Sequence, residues 1–248
     1  MSFLRRLFRG SQTKTIEVEA TLLTPERDDA SLDVVGEGSY QDNLARVSGG
    51  KTADGPAKAD HLAMLWPEPK NKYDRNAIAI KISGYTVGYL ARETAIRYQA
   101  VVLWADAHGR KVACNAKITG GWDRGGNEKG NFGVLLQLGT PAECILDMLG
   151  EEVVVRTDHP WIGHLIAFTG DSKCTYRGVP LDRGASLMLT KRAGIEVHPR
   201  VTKKVTLLVD CDPTSVSGNE RKASDYGIPV VSETDFWAAL GLEVTTSK

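Results

Sequence analysis

Apolar and polar residues follow two rhythms along this chain. Up to about residue 140 the apolar positions come in short runs broken by glycine, proline and charged clusters. Residues 32–36 read as a strand. The stretch 41–60, rich in Gly, Asp, Lys and Ala, reads as a loop. Residues 61–66 form a second strand, stopped by Pro67 and Pro69. Residues 76–82 and 86–90 predict a hairpin turning at Ser83-Gly84. The segment 91–107 places Ile96, Val101 and Leu103 among helix formers, and His108-Gly109 ends that helix. Two further strands, 111–122 and 132–138, flank the glycine-rich loop GGWDRGGNEKGN. Several short strands with one helix predict a small barrel or half-barrel.

The rhythm changes after a short helix at 141–149 and the charged-to-apolar run 151–155. From Gly163 the order reads β-α-β-β-α-β-α. Strands are expected at 165–170, 195–197, 205–209 and 228–231. The continuous apolar run 205–209 is the pattern of a strand buried on both faces of a parallel sheet. Helices are expected at 182–193 and 219–226, closed by Gly194 and Gly227. A third begins at Ser232-Glu233-Thr234-Asp235, whose spacing resembles a capping box. The boundary between the two parts is placed at 141–157, after a domain of 30–140 and before one of 158–243.

Composition narrows the class. Of 248 residues, 42% are apolar and 25% charged, as in ordinary globular protein. No run approaches the ~20 apolar residues that span a bilayer. The opening MSFLRRLFR carries Arg5, Arg6 and Arg9 beside apolar residues, so no secretory signal is evident. Residues 1–29 are expected to be a flexible basic segment, frayed or forming an amphipathic helix. Cys114, Cys144, Cys174 and Cys211 lie far apart with no C-x-x-C. Reduced cytoplasmic thiols are expected, with no zinc site and no disulfide framework.

Charge excludes one kind of nucleic-acid binding. Lys and Arg number 31, as do Asp and Glu, for a net charge of zero. The halves are also balanced: fourteen basic against thirteen acidic residues over 31–150, and twelve against thirteen over 151–248. Binding of long duplex, which depends on releasing many counterions, is not favoured. Recognition of a short strand end, with few phosphates, remains open.

The richest local chemistry is Asn71-Lys72-Tyr73-Asp74-Arg75-Asn76-Ala77-Ile78, followed by Val87-Gly88-Tyr89-Leu90. Tyr73 and Asp74 sit where a turn gives way to a strand, so both side chains can face one pocket. An aromatic face stacks on any base, worth about 1–3 kcal/mol. A carboxylate accepts from a sugar hydroxyl and repels a phosphodiester, which selects strand ends. The competing reading is that Tyr73, Asp74 and Asn76 only shape the turn.

This pattern, N-x-Y-D-x-N-A-I then V-G-Y-L, resembles the HIRAN domain. The resemblance covers roughly residues 30–140 and is most specific over 71–90. It implies an OB-like barrel that captures the 3′ end of single-stranded DNA. Tyr40 and Tyr73 would contact the terminal bases and Asp74 the 3′ hydroxyl. Asn71 and Tyr89 would border the pocket, Arg92 would hold a phosphate, and Phe132 would add a stacking surface. The chain departs from the bacterial pattern at Ser39, where a bulkier or basic residue is usual, so part of the basic contact is missing.

The second half resembles a BRCT domain, close to the one that ends bacterial NAD-dependent DNA ligases. The matching pieces are F-T-G at 168–170, V-T-K-K-V at 201–205, R-K-A-S-D-Y-G-I-P-V-V at 221–231 and S-E-T-D-F-W at 232–237. It implies a parallel four-stranded α/β fold that binds partner proteins, phosphopeptides or DNA ends without catalysis. Thr169 and Gly170 match the family's phosphate-holding pair, and Arg177 or Arg183 would add a guanidinium fork. Asn219 stands where the family has its lysine, with Lys222 one turn later. Phe236 and Trp237 are expected in the core.

Together the two resemblances imply a non-catalytic DNA-binding adaptor of repair or replication. It would hold a single-stranded 3′ end in one domain and a protein partner or phosphate in the other. No cofactor, metal or membrane is called for, and the expected location is cytoplasmic, nucleoid-associated at most. Two alternatives stand beside it. One is a protein–protein scaffold without DNA binding, which the neutral charge suits. The other is a hydrolase or nuclease. His61, His108, His159, His164 and His198 fall in no metal-ligand spacing, and no phosphate-binding glycine loop is present.

Overall fold

A computed structural model of the chain describes residues 3–9, 15–25, 31–150, 155–212 and 217–246. The chain divides into two compact units, Met1–Met148 and Leu149–Lys248.

The first unit holds eight strands: β1 (Phe3–Arg9), β2 (Thr15–Leu23), β3 (Leu32–Val35), β4 (Asp60–Pro67), β5 (Ile78–Ile82), β6 (Tyr85–Leu90), β7 (Lys111–Gly120) and β8 (Phe132–Gln137). Six of them close a barrel in the order β7-β4-β5-β6-β3-β8, with β8 returning to β7. Alternation along the strands explains the closure. On β4, Ala63 and Leu65 point into the core while Trp66 stays half-buried on the outside. Ile78, Ile80, Ile82, Val87, Leu90, Ile118 and Leu136 complete the interior. The β5–β6 turn is the predicted one: Ser83 (φ 51°) and Gly84 (φ 87°) both adopt the left-handed conformation that a two-residue hairpin requires. Gly88 lets β3 close onto β6, since a Cβ there would lie 2.4 Å from Val34 Cγ1 and 2.8 Å from the Val35 carbonyl oxygen.

Helix α2 (Arg92–Ala107) feeds Ala95, Tyr98, Val101, Val102 and Ala105 into the same core. These lie three or four residues apart, the spacing of one helix face. Ile96 and Leu103 fall off that face and are exposed.

Two expectations fail in this unit. The stretch 41–60 is not all loop: a 3₁₀ turn at Glu37–Tyr40 leads into α1 (Gln41–Ser48). Leu44 and Ser48, one turn apart, are fully buried. Gly49 (φ 77°) caps the helix by donating its N–H to the Ala45 carbonyl. One large apolar residue among polar ones is too weak a pattern to read as a helix. The segment 1–29, expected to be flexible or helical, contains β1 and β2. They pair antiparallel, and β2 then lies parallel to the first half of β7. Its Ala20 covers Met64 and Ala113 on the barrel's outer side, which is why Met64 is buried on a face that should be wet.

The first unit ends in α3 (Pro141–Leu149). In the second unit β9 (Leu165–Thr169), β12 (Glu196–Val197), β13 (Leu207–Asp210) and β14 (Val230–Ser232) form a fully parallel sheet ordered β12-β9-β13-β14. The apolar run of β13 is central, as its composition predicts. Helices α4 (Arg183–Arg192), α5 (Gly218–Tyr226) and α6 (Glu233–Ala239) start at Asp182, Ser217 and Ser232, each accepting a backbone N–H of the first turn. A small sheet of β10 (Cys174–Tyr176), β11 (Val179–Pro180) and β15 (Val244–Thr246) occupies what the sequence reads as loop and tail. Phe236 and Trp237 are fully buried, as expected. Residues 151–154 of the run at the predicted boundary lie outside the described residues. Among the described residues no helix is long and apolar enough to cross a membrane.

Candidate nucleic-acid interface

The loop between β4 and β5 is built by its own polar side chains. Glu68 N–H donates to the Ala77 carbonyl (2.9 Å), Asn71 N–H to Glu68 (2.9 Å) and Ala77 N–H to Asp74 (3.0 Å). The Asn71 side-chain oxygen accepts from the N–H groups of Tyr73 (3.0 Å) and Asp74 (3.3 Å). Gln99 of α2 pins the far end by donating to the Asn76 carbonyl at 2.7 Å. Asparagine favours this use because its short side chain mimics a backbone turn.

With the loop so tied, Tyr73 has no place in the core, and it is 79% exposed. Lys72 Nζ sits 4.7 Å from its ring centre. Asp74 is held at both oxygens: Oδ1 accepts from Asn76 N–H (2.9 Å) and Oδ2 from Arg92 Nε (3.2 Å). Arg92 opens α2, and its side chain is mostly exposed. Asn71, Tyr73, Asp74, Arg92 and Ile96 line one open depression of about 490 Å³. An aromatic face, a carboxylate and a guanidinium therefore converge. Ile96, which sequence patterning alone assigns only to a helix, adds an apolar floor and is 52% exposed.

Tyr40 and Tyr89 adjoin this site through a residue the sequence did not single out. Glu68 Oε2 accepts from Asn71 Nδ2 (2.9 Å) and from the Tyr89 hydroxyl (3.2 Å). The rings of Tyr40 and Tyr89 meet at 6.1 Å, tilted by 51°. Burial pushes the Tyr89 phenol well above its ordinary range, helped by a hydrogen bond with Tyr40 and the Glu68 charge. Tyr89 therefore stays a neutral donor. Nothing in the local sequence marks Glu68, because its role depends on β6 passing beside the loop. Replacing it with alanine removes one acceptor from two donors. The expected cost is about 1–2 kcal/mol of stability, read by urea denaturation, since a hydrogen bond to a charged group is worth about that much when half-exposed. A loss under about 0.3 kcal/mol would show that Glu68 does not organise the loop.

Phe132 does not belong to the site. It is only 3% exposed. Its ring lies so close over Gly121 that a Cβ there would come within 2.0 Å of it. Its backbone is clamped by Gln41, which accepts from the Phe132 N–H (2.9 Å) and donates to its carbonyl (3.0 Å). Phe132 is core, and the expectation of a stacking role is corrected.

Of the residues matched to a phosphate pocket in the second unit, Thr169, Gly170 and Arg183 lie together. Thr169 is buried, and its hydroxyl is already shared with Ser217 Oγ (3.0 Å) and Asn219 Nδ2 (3.4 Å). Gly170 adopts φ 75°, and any side chain there would strike Asp212. Arg183 donates to the Gly170 carbonyl (2.8 Å) and lies 5.3 Å from the Phe168 ring. The adjacent cavity of about 210 Å³ is lined by Asp171, Ser172, Asp182, Arg183, Ser186 and Cys211. Arg177 instead sits in the β10–β11 turn over Tyr176, and Lys222 is exposed on α5.

The four cysteines are free and buried. Burial pushes the Cys114 thiol up to about 12. Cys174 and Cys211 are likewise pushed up to about 12, with the Glu233 charge adding to burial. Protonated buried thiols are poor nucleophiles. Among the described residues no three His, Cys, Asp or Glu side chains cluster as metal ligands. No family model matches the chain, and no curated protein matches it either.

Proposed function

We propose that the barrel unit captures the free 3′ end of single-stranded DNA, and that the chain works as a non-catalytic adaptor in DNA repair or replication. The observation that carries this reading is the convergence of Tyr73, Asp74 and Arg92 on one open depression. A base stacks on the Tyr73 ring, the terminal hydroxyl donates to Asp74, and Arg92 holds the neighbouring phosphate. The likeness of 71–90 to HIRAN domains supports it. Arg92 pairs with Asp74 at 3.2 Å, so a cation stands beside the carboxylate where the neighbouring phosphate would arrive.

The parallel α/β unit, with its likeness to BRCT domains, serves as the docking module for a protein partner of the repair or replication machinery. A phosphate is the less favoured ligand there. Asp171 and Asp182 face the cavity beside the single guanidinium of Arg183, and the Thr169 hydroxyl is occupied.

A fluorescence titration tests the barrel's role. Oligonucleotides ending in a 3′ hydroxyl should bind more tightly than the same strands ending in a 3′ phosphate. Equal, weak binding of both would remove the end-capture reading and leave a protein–protein scaffold.

A further inference from the structure

The outer wall of the barrel carries a second cationic and aromatic feature beside the pocket. Trp66 lies half-buried on β4, with Lys81 Nζ 4.3 Å and Lys111 Nζ 4.7 Å from its ring centre. Strand register sets its neighbours. Trp66 pairs with Ala79 on β5, Ala79 with Tyr89 on β6, and Tyr89 with Val35 on β3. Directly paired residues share a face, so these four form one row on the outer side of the barrel, where Ala79 is itself fully covered. The small Ala79 separates the two large rings. Trp66 and Tyr89 are two strand spacings apart, roughly 10 Å.

Electrostatics makes this row unusual. Lys81 is depressed from its ordinary range, first by burial and then by the like charge of Lys111, with Glu68 opposing both. The two ammonium groups gather on one indole, Lys111 also paired with the Asp106 carboxylate, and an arriving anion would be drawn to both. Glu68 links the row to the end pocket, since it takes hydrogen bonds from both Asn71 and Tyr89. Pocket and row are thus neighbouring parts of one surface.

We infer that the strand held by its 3′ end continues along this row, with backbone phosphates on Lys81 and Lys111 and a base against Trp66. The inference rests on the reading of the Tyr73–Asp74 depression as an end-binding site. It assigns to Trp66, Lys81 and Lys111 a role in holding the nucleotides that follow the terminal ones. Charge chooses the occupant: two paired cations beside flat aromatic faces suit a phosphate chain carrying bases. Glu68 then serves both parts, orienting the end pocket and opposing the depression of Lys81.

The test compares 5′-labelled oligothymidylates of two and ten nucleotides, with 3′ hydroxyl and 3′ phosphate ends, by fluorescence anisotropy. For the unaltered protein the longer strand should bind more tightly. In the Lys81→Gln/Lys111→Gln double variant that gain should fall about tenfold, and the slope of log affinity against log salt should flatten by about 1.4, or 0.7 for each lost phosphate contact. Dinucleotide binding should stay unchanged, and Lys81→Arg/Lys111→Arg should keep the gain. A length gain that survives in the glutamine variant overturns the proposed track. Loss of the hydroxyl-over-phosphate preference, with a length gain still dependent on the two lysines, would instead overturn the end pocket and leave the track standing.

Discussion

Asp74→Asn should erase the proposed preference for a free 3′ hydroxyl. In the proposed complex the carboxylate accepts a charge-assisted hydrogen bond from the terminal hydroxyl, a contact worth about 1.5–3 kcal/mol. Asp74 is already aimed by Asn76 and Arg92, so little ordering is needed when a strand arrives. Asparagine keeps the shape and removes the charge. Affinity for a 3′ hydroxyl strand should drop about thirtyfold, equivalent to about 2 kcal/mol. Affinity for a 3′ phosphate strand should rise, because the repelling charge is gone and Arg92 is released from its ion pair. Tyr73→Ala should act differently, weakening both strands by the same factor through lost stacking, about 1–3 kcal/mol. Its ring is almost entirely in solvent, so folding should be unaffected, which thermal melting checks. The idea fails if Asp74→Asn leaves the ratio of the two affinities where it was.

The second large effect concerns the α/β unit. Trp237→Ala should destabilise it by about 4 kcal/mol or more. Trp237 is fully buried. It stacks 6.1 Å from Phe168 and meets Phe236 edge-on at 4.9 Å. Truncating a buried tryptophan to alanine costs about 3–5 kcal/mol through lost transfer energy and the cavity left behind. Here a polar cost adds to it. The indole Nε1 donates to Glu233 Oε1 at 3.1 Å, and Glu233 Oε2 is buried with no hydrogen-bond partner among the described residues. Removing the indole takes this donor from a buried carboxylate. Trp237→Phe separates the two contributions, since it fills most of the volume and deletes only the donor, for about 1–3 kcal/mol. Chemical denaturation followed by circular dichroism reads both. A shift of less than about 1 kcal/mol for the alanine variant would show that this aromatic cluster does not hold the unit together.

How much of this was legible depended on whether the signal was local. The β5–β6 hairpin was readable because Ser83-Gly84 meets a stereochemical demand within two residues. The helix start at Ser232 was readable for the same reason: a side-chain oxygen and an N–H three residues away suffice. The core strand β13 announced itself by unbroken apolar composition. Helix α1 was hidden because Leu44 and Ser48 gain their burial from the barrel and not from their own segment. The strand β2 was hidden because its partner, the first half of β7, lies far along the chain.

The sequence by itself determined the chemistry of the 71–76 loop, the two-part order of elements and the parallel character of the second sheet, because turn formers, alternation and caps act over a few residues. Tertiary structure decided which of those side chains share a surface. Tyr73 and Phe132 are both aromatic residues at the edges of polar loops, yet the barrel leaves one ring in water and closes Gly121 over the other. It also brought Glu68 to Tyr89, Arg92 to Asp74 and two lysines to one indole. Those meetings follow from strand register and closure, which are set by the balance of all cross-strand contacts at once. No single segment carries that information.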